Sequence, residues 1–147
     1  MTEKKKKPGF SMFSRYQIFL LITLFVYLTF LAWLSLVPAS YFSSSLVFFP
    51  GADKIVHTLI YLILGFLLYL LLSGIWQKSR VRIIVIVFFG ASAYGLLMEF
   101  LQLQISTSSR SFEIGDIIAN CVGAVAGIFL GYFVLPFLSK LNNKEEH

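Results

Sequence analysis

The composition of this 147-residue chain is that of a membrane protein. Hydrophobic residues make up 58% of the chain, charged residues make up 13%, and the mean hydropathy is +0.83, which together exclude an ordinary soluble domain. The net charge of +5 does not require a nucleic-acid partner, because an N-terminal lysine run can contact anionic lipid. A single cysteine, Cys121, excludes an intramolecular disulfide bond.

Four apolar windows are long enough to cross a bilayer, which requires about 20 mostly apolar residues. In chain order these windows are 16–37, 55–76, 83–105 and 116–138. We therefore predict an all-α fold, a four-helix transmembrane bundle spanning 16–138, with a basic segment at 1–15 and a short tail at 139–147. The first apolar run exceeds the 7–15 residues of a cleavable signal-peptide core, so we predict that it is retained as an anchor.

Basic residues are distributed unevenly among the connections between these windows. The basic positions at the two termini and in the second connection are Lys4, Lys5, Lys6, Lys7, Arg15, Lys78, Arg80, Arg82, Lys140 and Lys144. The first connection, 38–52, has no Lys or Arg, and the third, 106–115, has only Arg110. The positive-inside rule then predicts a multi-pass membrane protein with both termini in the cytoplasm.

Polar residues recur at the helix ends that this topology brings to the outer face. The positions are Asp53, Lys54, His57 and Tyr61 in the second window, Glu99 and Gln102 in the third, and Arg110, Asp116 and Asn120 around the start of the fourth. Spacings of three or four residues place neighbours in each group on one helical face. Because a charged group at the bilayer centre costs roughly 2.5–3.5 kcal/mol, such residues are rare unless they are paired or functional. We predict that they form one outward-facing polar site.

Several of these residues also have simple structural explanations. Asp53 and Asp116 are placed where they could be helix N-caps, and Lys54 could extend its side chain to the lipid headgroups. Glu99 lies about 9 Å below the outer end of its helix, too deep for a cap. It needs a cation, Arg110 or Lys54, or must be protonated. Interhelical hydrogen bonds are the simple explanation for His57, Tyr61 and Asn120.

A ladder of small residues follows the polar site along the fourth helix. Ala119, Gly123, Gly127 and Gly131 recur at every fourth position, a spacing that lets helix backbones approach closely in lipid. We predict that the glycines pack against another helix, and that the ladder could also support a homodimer.

The order of these polar blocks resembles that of the VanZ-like family of small bacterial membrane proteins. The first block reads Asp53-Lys54-Ile55-Val56-His57, followed by Tyr61 and Gly65. The second block starts with Glu99-Phe100-Leu101-Gln102, resumes at Arg110-Ser111-Phe112-Glu113-Ile114-Gly115-Asp116, and closes with Asn120, Gly123 and Gly127. The resemblance places all nine polar residues named above on signature positions of the family. The resemblance implies a location in the bacterial plasma membrane. It also implies a link to resistance against the glycopeptide teicoplanin, with which the family's namesake is associated without an agreed mechanism. One departure is a serine-rich stretch, 106–109, where relatives commonly carry Pro or Gly before the arginine.

Three classes of function fit these observations. We favour a site that binds or shields an anionic envelope ligand, such as a lipid-linked cell-wall precursor or a lipoglycopeptide, because helix N-termini and basic side chains attract anions. The alternative is a membrane-embedded hydrolase or transferase acting on a lipid-linked substrate. It would use Asp53, His57, Glu99 and Asp116 as general acid–base groups or as ligands for a divalent metal, although no established catalytic motif is present. The third is a small transporter, for which four helices are few. We predict no nucleic-acid partner, no cofactor and no resident metal, and the sequence assigns no catalytic residue.

Overall fold

The computed structural model describes residues 15–37, 51–76, 79–105 and 113–142, and these residues form four α-helices. They are α1 (Arg15–Leu36), α2 (Ala52–Ile75), α3 (Arg80–Ile105) and α4 (Ile114–Asn142). All four are long and apolar enough to cross a membrane. The predicted all-α fold with four potential spans is therefore confirmed, whereas the cytoplasmic location of the termini stays a prediction.

The helices begin earlier than the apolar windows indicated, because polar residues form their first turns. In α2 the N-cap is Gly51, whose φ of 89° lies in the left-handed region that glycine adopts without strain. Asp53 is thus in the first turn, where a carboxylate still interacts favourably with the helix dipole. Asp116 is likewise in the first turn of α4, so the suggestion that these two residues are N-caps was wrong.

Helices α2 and α4 make the closest contact in the bundle, and the glycine ladder forms it. A Cβ atom added to Gly123 would overlap the carbonyl oxygen of Thr58, and one added to Gly127 would overlap that of Leu62. Gly131 faces the ring of Tyr69, which also belongs to α2. The ladder is therefore covered by α2 within the chain, and a homodimer through the same face would have to displace α2.

Side-chain hydrogen bonds to backbone carbonyls attach α1 to α2 and to α3. The Tyr27 hydroxyl donates to the carbonyl of Ile60 at 2.8 Å, and the Tyr94 hydroxyl donates to that of Leu28 at 2.7 Å. Large apolar side chains such as Phe25 and Phe129 face outward, as expected for a surface in lipid.

Candidate functional site

The polar residues predicted from the sequence gather at one end of the bundle, where α1 and α3 end and α2 and α4 begin. We call this the polar end and define it by Asp53, Lys54, His57, Tyr61, Glu99, Gln102, Glu113, Asp116 and Asn120. The remaining predicted residue, Arg110, lies outside the described residues, as does the serine-rich stretch 106–109.

The exposed rim of the polar end is an ionic cluster centred on Lys54. Its ammonium nitrogen lies 2.9 Å from Asp53 Oδ2, 2.9 Å from Glu113 Oε2 and 3.5 Å from Asp116 Oδ1. The cluster joins the first turn of α2 to the start of α4. Gly115 leaves room for this approach, because a Cβ atom there would lie only 2.6 Å from Lys54 Cε and the lysine side chain would have to shift. Glu113 was not predicted to belong to the site, although it stands in the same block as Asp116.

Beneath the rim, His57 connects α2 to α4. Its Nδ1 atom lies 3.0 Å from Oδ1 of Asn120, and its Nε2 atom lies 4.0 Å from Oδ2 of Asp116. Because an amide oxygen only accepts hydrogen bonds, Nδ1–H is the donor, and the neutral imidazole then has its lone pair on Nε2. Asn120 is only 2% exposed, so its orientation is fixed by packing. The ring of His57 is consequently held with its basic nitrogen on the side of Asp116.

Glu99 is the most deeply buried acid of the polar end, with 3% of its surface exposed. It borders a small cleft of about 20 Å³, which is large enough for one water molecule. The cleft is lined by Leu31, Leu34, Ser35, His57, Ile60, Tyr61, Met98 and Glu99. Glu99, His57 and Asp116 each offer one potential ligand atom within 4.8 Å of the others. The pairing of Glu99 with Arg110 or Lys54 stays a prediction.

Tyr61 and Gln102 help to position the helices around this cleft. Gly95 on α3 leaves space for two neighbours, since a Cβ atom there would lie 2.9 Å from Asn120 Nδ2 and 3.1 Å from the Tyr61 hydroxyl. The Gln102 side chain donates a hydrogen bond to the carbonyl of Ser35 at 2.9 Å, which ties α3 to the end of α1. Both residues therefore help to hold the helices together, whether or not they also contact a ligand.

The electrostatic balance of the polar end is acidic. It contains four carboxylates, those of Asp53, Glu99, Glu113 and Asp116, and one ammonium group, that of Lys54. The first turns of α2 and α4, whose dipoles would attract anions, carry acids themselves. Among the described residues, this arrangement favours a cation more than the predicted anion-binding site would.

Residues 10–135 match the protein-family model described as VanZ/LLP1. The chain belongs to the VanZ/LLP1 family. Comparisons with curated proteins and with solved structures gave no match. Family membership and the four apolar helices together identify this VanZ/LLP1 protein as a multi-pass membrane protein.

Proposed function

We propose that this VanZ/LLP1 protein binds or shields an anionic cell-envelope ligand at its polar end, which faces outward from the plasma membrane. Through this binding it contributes to resistance against teicoplanin-type glycopeptides. The observation that carries the proposal is the position of Lys54, whose side chain is 41% exposed and reaches the rim where α2 meets α4. A phosphate or carboxylate group arriving from the aqueous side can reach this ammonium group by displacing one of the exposed carboxylates around it.

Ligand binding at the rim requires the exchange of one ion pair for another. Asp53 and Glu113 are about half exposed, and ion pairs between exposed groups contribute little to stability. An anionic group can therefore replace one of these carboxylates on Lys54 without disrupting the fold. Arg110, on the same connection as Glu113, would supply the second cation and the planar fork that suits phosphate and carboxylate groups.

The ligand class follows from the setting of the rim. A lipid-linked cell-wall precursor and a lipoglycopeptide each combine anionic groups with an acyl or polyprenyl chain. The outward faces of α2 and α4 carry apolar side chains beside the rim, including Ile55, Leu59 and Ile118, which can contact such a chain. The anionic group and the acyl or polyprenyl chain of the ligand would then both be held at the membrane surface.

The test is glycopeptide susceptibility in a sensitive host producing each variant at equal membrane abundance. Lys54→Ala and Arg110→Ala should abolish protection, and Arg110→Lys should weaken it by losing the planar fork. Arg80→Ala is the matched control, since Arg80 stacks on Tyr132 toward the opposite end of the bundle, at 5.2 Å from the ring centre. Equal protection by wild type, Lys54→Ala and Arg110→Ala would contradict the proposal.

A membrane-embedded hydrolase or transferase acting on a lipid-linked envelope substrate is the second candidate. It is favoured by the oriented imidazole of His57, which lies between Asn120 and Asp116 and lines the cleft beside Glu99. For an enzyme the ranking of variants reverses: His57→Gln should remove most activity, because general acid–base catalysis typically contributes about 10²–10⁴-fold. If the ligand is held by Lys54 and Arg110 alone, the same substitution causes only moderate loss, since no proton is transferred.

A further inference from the structure

Three potential metal ligands come together in the buried part of the polar end, each from a different helix. His57 belongs to α2, Glu99 to α3 and Asp116 to α4, and their ligand atoms all lie within 4.8 Å of one another. Glu99 is buried, and the side chain of Asp116 is 13% exposed. Side chains that are brought together from separate helices in the core of a bundle are a recurring way to build a metal site.

The orientation of His57 is a second and separate indication. A histidine that binds a metal through one ring nitrogen usually donates the other N–H to an oxygen, which fixes the tautomer and the direction of the ring. In this chain the buried oxygen of Asn120 fills that position at Nδ1, and Nε2 faces Asp116. The histidine is therefore already held in a ligating orientation.

The carboxylate of Asp116 provides a third indication. Its Oδ1 atom is buried and has no hydrogen-bond partner among the described residues; the ion pair with Lys54 at 3.5 Å is a longer, weaker contact. The other group of acids at this end, Asp53, Glu113 and Asp116, already surrounds the ammonium group of Lys54. Oδ1 therefore lies on the Lys54 side of the carboxylate, and a cation beside His57 would bind through the other oxygen, Oδ2, which faces the ring.

We infer that His57, Glu99 and Asp116 bind a divalent transition-metal ion. One imidazole and two carboxylates suit Zn²⁺, Mn²⁺ or Fe²⁺, whereas Ca²⁺ and Mg²⁺ prefer oxygen ligands alone. Ligand atoms around tetrahedral Zn²⁺ are about 3.4 Å apart, so the 4.0 Å between His57 Nε2 and Asp116 Oδ2 must shorten by about 0.6 Å. Glu99 has two oxygens, so it can contact Arg110 through one and the metal through the other.

A metal at this position would give the acidic polar end the positive charge that an anionic ligand needs. Three protein ligands leave a coordination position open. The adjoining cleft, which His57 and Glu99 line, has room for one water molecule at that position. An oxygen of a phosphate or carboxylate group of the envelope ligand would replace that water, for which the cleft must widen. This last step rests on the proposed function, but the metal site itself does not.

The experiment measures the metal bound to the full chain, purified in detergent without chelators, by elemental mass spectrometry. Wild type should hold one ion per chain, and chelator-treated protein should take up Zn²⁺ or Mn²⁺ again. His57→Gln, Glu99→Gln and Asp116→Asn should each lower the affinity at least tenfold. Glu113→Gln is the matched control, because it removes a neighbouring carboxylate that does not belong to the buried group, and it should retain the metal.

Two further measurements separate loss of a ligand from loss of the fold. Added Zn²⁺ should raise the Tm of wild type and Glu113→Gln but not of Glu99→Gln, since an ion that binds only the folded state stabilises it. Bound Co²⁺ should show a visible absorption spectrum that changes in His57→Gln. Wild type that binds neither Zn²⁺ nor Mn²⁺, or an equal loss of metal in Glu113→Gln and Glu99→Gln, would overturn the inference.

The metal inference and the proposed function can fail independently. Protection that depends on Lys54 and Arg110 in a protein without metal would overturn the metal site and leave the proposed function standing. Stoichiometric metal in a protein that gives no protection would support the metal site and overturn the proposed function.

Discussion

The close contact between α2 and α4 predicts how the replacement of single glycines changes the stability of the protein. Gly127 lies against the backbone of α2, where a Cβ atom would overlap the carbonyl oxygen of Leu62 and lie 2.7 Å from the nitrogen of Phe66. Both of these atoms belong to helix backbone, so they cannot rotate away as a side chain would. Gly127→Ala must therefore push the two helices apart along the tightest part of the bundle.

The magnitude follows from comparison with Gly90, an exposed glycine on α3 with no atom within 4 Å of an added Cβ. Replacing glycine by alanine in the middle of a helix normally stabilises it by about 0.5–1 kcal/mol. Gly90→Ala should show this gain. Overpacking costs typically about 1–3 kcal/mol, so Gly127→Ala should be destabilised by about that amount relative to Gly90→Ala, which has the same propensity gain.

The assay is unfolding of the purified protein in mixed micelles with increasing SDS, followed by far-ultraviolet circular dichroism. The transition of Gly127→Ala should occur at a lower SDS fraction than that of wild type, and the transition of Gly90→Ala should occur at the same fraction or a higher one. Equal stability of the two variants would refute the close packing of α4 on α2 at this position.

Three other predictions concern the polar end. Single cysteines in 106–115, introduced into a cysteine-free background, should react with an impermeant thiol reagent added outside the cell; reaction only after lysis would overturn the outward orientation. Gly115→Ala should lower glycopeptide protection with little loss of stability. The flexible Lys54 side chain can move away from the added methyl group, but it then leaves the carboxylates that position it. Unchanged protection would contradict this role of Gly115. Arg110→Ala should reduce stability more than Glu99→Gln, because it leaves a buried carboxylate uncompensated, a change that can cost about 3–5 kcal/mol; equal unfolding transitions would argue against the pair.

The sequence was sufficient to predict the helices, because four apolar windows of spanning length leave few alternative folds. The starts of the helices were less predictable. Hydropathy excluded Asp53 and Lys54 from the second window, yet Gly51 in its left-handed conformation starts α2 before them. The first turns of these helices are polar, and a hydropathy scale assigns only apolar residues to a membrane-spanning segment, so it misses these turns.

The convergence of the polar residues followed from helix direction, but their pairing did not. Spacing along one helix shows which side chains share a face, and it does not show which carboxylate on another helix will reach a given cation. Lys54 was considered as a partner of Glu99, and the structure places its ammonium group against three other carboxylates. One of these, Glu113, precedes α4 and so belongs to no helical face that the pattern could reveal.

Asp116 is the residue through which the rim and the buried site would influence each other. One of its oxygens lies 3.5 Å from Lys54, and the other lies 4.0 Å from His57, so a single carboxylate faces both groups. An anionic ligand that draws Lys54 away would increase the negative charge available to a cation beside His57. Conversely, a cation bound there would weaken the hold of Asp116 on Lys54 and release the lysine for the ligand. Because such coupling is reciprocal, metal and envelope ligand should each raise the affinity for the other.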